Sequence, residues 1–225
     1  MNAREDAAYI PDRWTFEDQK VAAIFDRHVR EQLPWYDLAT KAVAQIARHY
    51  IGAGGLVYDI GASTGNIGNA LRPTLEERDA RLVAIESAAE MAERYAGPGR
   101  LEVAHAEDYH FEPFDFAVCF LVLIFLRPDR ARDLLQRLRD RIAYGGAILV
   151  VERMLPPDGY MSIVSSRLTL ATKLEGGVTP EEIIAKELSL GGVQRPLSRE
   201  ILTDLGAVEW FRYGDFAGWV IEGAS

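Results

Sequence analysis

Leu56-Val57-Tyr58-Asp59-Ile60-Gly61-Ala62-Ser63-Thr64-Gly65 decides how this chain is read. A short apolar run ends beside an acid and breaks into a turn framed by two glycines. It reads as a strand, a tight loop and the first turn of a helix, which is the geometry nucleotide-type cofactors need. Gly61 and Gly65 carry no Cβ, so a ligand can approach the loop backbone closely. The spacing is Gly-x-x-x-Gly after an acid, and not the Gly-x-Gly-x-x-Gly of a dinucleotide site. Asp59 repels phosphate but accepts hydrogen bonds from an ammonium group.

Working outward, short apolar runs alternate with longer helical patterns. Strands are expected at 82–86, 101–104, 116–120 and 147–152, and helices at 65–71, 88–95 and 130–142. That rhythm implies right-handed crossovers and a parallel sheet covered on both faces. Upstream, Thr15 is the expected N-cap of a helix running to about Gln32, with Val21, Ile24 and Phe25 at helical spacing. Pro34 interrupts, and a second helix at 36–50 carries Ala39, Val43, Ile46 and Ala47 on one face. After Pro156-Pro157 two further helices, 160–173 and 180–190, form a lid or a partner-contacting insertion. Ser198 then caps a last helix ending at Gly206. A hairpin turning at Gly214-Asp215 closes the sheet with an antiparallel edge.

The expected fold is therefore α/β, a Rossmann-like doubly wound, mostly parallel sheet in a single domain over 1–225. Its parts are a flexible arm (1–13), N-terminal helices (14–50), a core sheet (56–155), a helical insertion (156–197), and a last helix with the edge hairpin (198–225).

Composition narrows the function. The chain has 225 residues, 48% of them apolar, enough for a sizeable core. Its 25 basic and 34 acidic residues leave a formal charge of -9, which argues against a surface gripping nucleic acid or anionic lipid and favours a small-molecule partner. The single cysteine, Cys119, allows no disulfide framework and no cysteine-rich metal cluster, and no His/Cys/Asp/Glu spacing resembles a metal site. Residues 1–12 are polar and acidic, so no secretory signal is expected, and the longest apolar run, 116–126, is too short to cross a bilayer. A cytoplasmic location follows as the expectation.

In open α/β sheets ligands sit beyond the carboxyl ends of the strands. Beside the 61–65 loop, Glu86 ends the next strand where an acid reaches ribose hydroxyls. Glu107 and Asp108 follow the strand after it, where a carboxylate accepts from an exocyclic amine. An amino group, a ribose and an adenine without phosphate fit these acids together.

The motifs 57–65, Val83-Ala84-Ile85-Glu86 and Ala143-Tyr144-Gly145-Gly146-Ala147 resemble those of class I S-adenosylmethionine-dependent methyltransferases. Trp14-Thr15-Phe16, Leu33-Pro34-x-Tyr36, Phe125-Leu126-x-Pro128 and Gly145-Gly146-Ala147-x-Leu149-x-x-Glu152 add a similarity to the carboxy-S-adenosyl-L-methionine synthase branch. Enzymes of that branch use prephenate to carboxylate the cofactor's methyl group for wobble-uridine modification of tRNA. The resemblance implies S-adenosylmethionine, or its product S-adenosylhomocysteine, as ligand. It implies that Gly61, Ala62 and Ser63 hold the amino-acid end, Glu86 the ribose, Ser87 the adenine face, and Glu107 with Asp108 the adenine's amino edge, with Tyr36 reaching over the site.

Two departures matter. Phe120 stands where the branch has a cofactor-lining asparagine. Glu187 stands where it has an arginine that pairs with the added carboxylate, and a carboxylate there repels the anion instead of binding it.

The favoured reading is thus a methyltransferase with a small acceptor. The alternatives are a carboxylated-cofactor synthase and a non-catalytic cofactor-binding module. Candidate catalytic groups are Glu152, Tyr36 and His105; His110 is expected at the surface, and His28 and His49 sit on helix faces with no assigned role. Trp14, Phe16, Trp35, Tyr36, Trp210, Phe211, Tyr213 and Trp219 supply either core packing or an apolar substrate pocket. The insertion is a candidate homodimer surface.

Overall fold

The computed structural model describes residues 9–224; residues 1–8 of the expected arm lie outside them. In chain order the elements are α1 (Gln19–Gln32), α2 (Tyr36–Ala47), β1 (Leu56–Ile60), α3 (Asn66–Glu77), β2 (Arg81–Glu86), α4 (Ala89–Ala92), β3 (Arg100–Val103) and β4 (Phe114–Phe120). After a 3-10 turn (Leu123–Phe125) come α5 (Pro128–Arg139), β5 (Ile142–Arg153), α6 (Tyr160–Glu175), α7 (Pro180–Ser189), α8 (Arg199–Thr203), β6 (Val208–Tyr213) and β7 (Phe216–Glu222). The seven strands lie in the order β3-β2-β1-β4-β5-β7-β6. The first five are parallel, and β7 runs antiparallel to both β5 and β6. The doubly wound sheet with its antiparallel edge is the architecture the alternating pattern implies.

Alternation along β1 shows how the sheet divides its core. Leu56, Tyr58 and Ile60 join one apolar cluster with Leu134, Leu135 and Leu138 of α5 and Ile201 and Leu202 of α8. Val57 faces the opposite cluster, built on Ala39 and Val43 of α2 and Ile67, Leu71 and Leu75 of α3. Successive side chains on a strand point to opposite faces, so β1 is buried throughout. The chain enters at the sheet's centre, winds out through β2 to β3, and returns to place β4 on the other side of β1. The order reverses there, between β1 and β4, and that switch point opens a crevice beyond the strand ends.

Local details differ from the sequence reading. Asp18, not Thr15, caps α1: its carboxylate accepts from the Lys20 and Val21 amides at 2.7 and 3.4 Å, whereas Thr15 Oγ1 accepts only from Glu17 at 3.2 Å. Helix α3 runs past Leu71 and through Pro73, because burial of Leu71, Thr74 and Leu75 outweighs the local cost of proline. β4 ends at Phe120, as the strand expected at 116–120 does, although the apolar run continues to Leu126. Leu121 takes a left-handed φ of 57°, ends β4, and turns the following residues into the 3-10 turn. No helix among the described residues is long and apolar enough to cross a membrane.

Candidate cofactor and acceptor site

Two adjoining cavities open at the switch point, and Phe16, Gly61, Ser63, Leu121 and Phe125 line both. Phe16 and Phe125 meet edge-to-face, 5.0 Å between ring centres, where the two join.

The loop after β1 forms their common floor, and the protein itself dictates its glycines. Gly61 has φ 71°, and a Cβ there lies 2.6 Å from the Val122 side chain. Gly65 has φ 92° and backs onto the Gly97 backbone, 2.5 Å from a Cβ; it lines neither cavity. Asp59 also lies beneath the loop and outside both linings. Its carboxylate accepts the Gly68 amide in the first turn of α3 at 3.2 Å, a favourable place for an anion at a helix start. Burial pushes its pKa up to about 7; the Gly68 bond opposes that and the Glu86 charge adds to it.

Glu86, at the end of β2, ties the two loops together. One oxygen accepts the Ser63 amide at 2.8 Å, and the other accepts the Ala88 amide at 2.9 Å. Burial raises its pKa, and those amide bonds oppose the rise. Together with Ser87, His105 and Glu107 it lines the second cavity, whose lining holds two carboxylates and neither lysine nor arginine. Arg137 donates to the Glu107 and Tyr109 carbonyls and fixes that loop. Asp108 is exposed and lies outside the lining. His110 lies away from both cavities, beside Arg137 and Asp140.

The first cavity runs from Gly61, Ala62 and Ser63 under helix α1. Asp26 of α1 accepts from Thr64 Oγ1 at 2.8 Å and Asn66 Nδ2 at 2.6 Å, and Arg30 donates to Asn66 Oδ1 at 3.2 Å, so the helix is pinned across the glycine loop. Tyr36 and Phe120, edge-to-face at 5.3 Å, form one wall. Burial holds the Tyr36 hydroxyl well above its ordinary pKa. Of the other flanking aromatics, Trp14 and Phe16 line the cavity, while Trp35, Trp210, Phe211, Tyr213 and Trp219 do not.

Glu152 is fully buried and lines neither cavity. Its Oε1 accepts the Val122 and Leu123 amides at 2.8 and 2.6 Å, so it anchors the turn that follows β4. Burial pushes its pKa up to about 8 against those two bonds.

No protein-family model matches the chain. A carboxy-S-adenosyl-L-methionine synthase from Staphylococcus epidermidis is 27% identical over 222 residues, covering 93% of this chain and 97% of that one. Among solved structures, an O-methyltransferase family protein from Burkholderia thailandensis matches with a TM-score of 0.62 at 12% identity, over 92% of this chain and 61% of that longer protein, less than two thirds of its length. An S-adenosylmethionine-dependent methyltransferase described as putative, from Methanococcus maripaludis, matches at 0.56 and 14% identity, over 96% and 98%. The chain is similar over nearly its whole length to carboxy-S-adenosyl-L-methionine synthases and shares the fold of S-adenosylmethionine-dependent methyltransferases. It is a methyltransferase-like enzyme, and S-adenosylmethionine is the cofactor of that class.

Against that background, the first cavity also holds residues that, Glu187 apart, the sequence reading gave no role. Arg153, Lys173, Lys186 and Glu187 line it together with His28, Gln32 and Thr169. Glu187 is compensated: it pairs with Lys173 Nζ at 3.2 Å and Arg153 at 3.5 Å. Burial raises its pKa, but those two charges hold it below the ordinary carboxylate value. A signal existed in the pattern. Lys186 occupies the buried stripe of α7 with Ile183, and His28 and Gln32 occupy that of α1 with Val21. Polar groups on apolar stripes are retained for a partner or a ligand.

Proposed function

We propose that the chain is a methyltransferase that transfers the methyl group of S-adenosylmethionine to a small-molecule acceptor, with the adenosine in the second cavity and the acceptor in the first. The observation that carries this reading is the lining of the second cavity: two carboxylates, a serine and an open glycine loop, with no cation to meet a phosphate. A ligand with ribose hydroxyls and an amine fits such a lining, and a dinucleotide does not.

The residues present fit the cofactor. The 61–63 backbone faces its amino-acid portion, Glu86 its ribose, and Ser87 and Glu107 its base; Tyr36 and Phe120 wall the passage towards the acceptor. When bound, the cofactor supplies an activated methyl on a sulfonium centre. The chain's task is then to align the acceptor in line with that methyl, exclude water and accept a proton. Glu152 serves the site by holding the 121–125 turn, and Asp59 by anchoring the start of α3 beneath the glycine loop.

Glu187 favours plain over carboxylated cofactor. The protein's own carboxylate already occupies the cationic pair Arg153 and Lys173, so a second carboxylate finds that seat taken. The chain works as one domain, because the first cavity draws on the N-terminal helices, the sheet and the insertion alike. Exposed Tyr160, Met161, Ile184 and Leu188 on α6 and α7 support a homodimer through the insertion. A cytoplasmic location is in keeping with the acidic balance.

Native mass spectrometry of the purified protein tests the cofactor. Bound S-adenosylmethionine or S-adenosylhomocysteine supports the reading, whereas the carboxylated form supports the synthase. Tight S-adenosylhomocysteine binding with no turnover across broad acceptor screens points to a non-catalytic module. If S-adenosylhomocysteine does not bind in calorimetry, the reading is wrong.

A further inference from the structure

We propose that Lys186 takes the proton of the methyl acceptor, and that the acceptor is a phenol-type hydroxyl on an aromatic body seated beside Trp14 and His28. The inference rests on the methyltransferase reading and names the acceptor class for the same cleft.

The geometry comes first. Lys186 is only 8% exposed, lines the first cavity, and lays its nitrogen on the face of Trp14. Lys173, the neighbouring buried lysine, has the Glu187 carboxylate at 3.2 Å, but Lys186 meets no carboxylate within ion-pair distance among the described residues. Across the cavity His28, 5% exposed, stacks on the same Trp14 ring at 5.0 Å, and neither of its ring nitrogens has a partner. One turn further along α1, Gln32 Oε1 is also buried without a partner. An unpartnered buried polar group costs about 1–3 kcal/mol, so three such groups converging on one apolar cavity fit a ligand that supplies hydrogen bonds.

The charges around Lys186 make it a proton acceptor. Burial, and then the positive charge of Lys173, hold its pKa down to about 5, with Glu187 pulling the other way. Arg153 of β5 and Lys173 of α6 stand on the far side of Glu187, and His28 of α1 faces Lys186. Burial and the two lysines hold His28 down to about 3, so at neutral pH it is an uncharged hydrogen-bonding group and not a competing cation.

The same field selects the acceptor. A neutral hydroxyl crosses the aromatic mouth without giving up a charge's hydration. Once inside, its proton moves to Lys186 Nζ while the oxygen forms a bond to the methyl carbon. The carbon–sulfur bond breaks with its electron pair left on sulfur. The products are an aryl methyl ether, a neutral thioether and a lysine ammonium that returns its proton to water. The positive charge thus passes from sulfur to Lys186. A neutral amine attacks through its free lone pair and needs no base beforehand, whereas a hydroxyl gains from a proton acceptor placed beside it.

4-Nitrophenol tests this without turnover, because its phenolate absorbs in the visible and its phenol does not. The intact protein is saturated with S-adenosylhomocysteine and titrated with the probe below the probe's own pKa. A bound phenolate supplies Lys186 with the contacting anion it lacks and raises its pKa, so the wild type should show a saturable phenolate band with no net proton release, read by calorimetry in buffers of different ionisation enthalpy. Lys186→Met should lose the band or bind the probe at least tenfold more weakly, with S-adenosylhomocysteine affinity unchanged. Lys186→Arg, a permanent cation, should release one proton to buffer per phenolate bound, which distinguishes proton capture from mere charge pairing even if the methionine variant does not fold. A band that survives in Lys186→Met, a probe bound as neutral phenol, or wild type that binds S-adenosylhomocysteine but not the probe overturns the proposal. Failure to bind S-adenosylhomocysteine overturns the methyltransferase reading itself.

Discussion

Lys173 Nζ lies 3.2 Å from one Glu187 oxygen, and Arg153 reaches the other at 3.5 Å. The cavity wall therefore carries its own carboxylate between two cations. Glu187→Ala leaves Lys173, 8% exposed in its side chain, without that partner. Truncating a fully buried pair costs about 3–5 kcal/mol; because the Glu187 side chain is 40% exposed, solvent offsets much of the loss, and about 1–2 kcal/mol is expected from urea unfolding at constant m. The same change vacates a carboxylate seat. Relative to S-adenosylmethionine, the carboxylated cofactor should then bind at least about tenfold better than it does to wild type, a shift of about 1.4 kcal/mol. An unchanged ratio in competition calorimetry places Glu187 away from the cofactor's methyl end.

Glu86 joins the loops after β1 and β2 through two amide bonds, to Ser63 and Ala88. Glu86→Gln keeps the shape but can accept only one of them with its remaining carbonyl oxygen. The other amide then faces an NH₂ group. A lost bond of this kind is worth about 1–2 kcal/mol, so S-adenosylhomocysteine affinity should fall about tenfold. If calorimetry returns the wild-type affinity, the loop tie and the ribose contact assigned to Glu86 both fail.

The Glu152 carboxyl carries a pH signature. Its folded pKa of about 8 lies above the reference 4.5. Between those values the folded protein holds a proton that the unfolded chain has released, so stability is greatest at low pH and falls as pH rises towards 8. Asp59 acts in the same direction between 3.8 and about 7. Glu152→Gln cannot titrate. Its urea midpoint should therefore decline less than wild type's between pH 5 and 8, with the difference accumulating across that whole range and levelling off near pH 8; Asp59 titrates in both proteins and cancels from the comparison. Parallel slopes for the two proteins would rule out a proton on Glu152.

The parts of this protein that depend on neighbours in sequence were readable from it. The strand at 56–60, its glycine turn and the acids ending successive strands announce the sheet and the residues that line the second cavity, because strand period and turn chemistry are local. The acceptor side is different. His28, Arg153, Lys173 and Lys186 come from α1, β5, α6 and α7, and only packing brings them to one cavity. Asp59 and Glu152 show the converse. Their places at strand ends are legible, yet whether a carboxylate turns to the ligand or to a backbone amide depends on which amides lie beneath it, Gly68 in one case, Val122 and Leu123 in the other. Spacing alone does not carry that information.

Gly61 is held by two separate constraints that can be taken apart. Its φ of 71° disfavours any side chain, and a Cβ would lie 2.6 Å from Val122 Cγ2. Gly61→Ala should therefore suffer both the backbone penalty, about 1–2 kcal/mol, and the overlap, typically about 1–3 kcal/mol. Adding Val122→Gly removes the methyl groups and also the Val122 Cβ, which would itself lie 2.8 Å away, but leaves φ at residue 61 unchanged. Measured against Val122→Gly alone, Gly61→Ala should then cost only the backbone share, and the interaction term from the double-mutant cycle reports the overlap. Cofactor affinity should recover along with stability, because displacement of the loop by Val122 is what disturbs the 61–63 backbone. If the cycle shows no coupling, Val122 does not limit residue 61, and ligand approach, not the protein's own packing, is what requires glycine there.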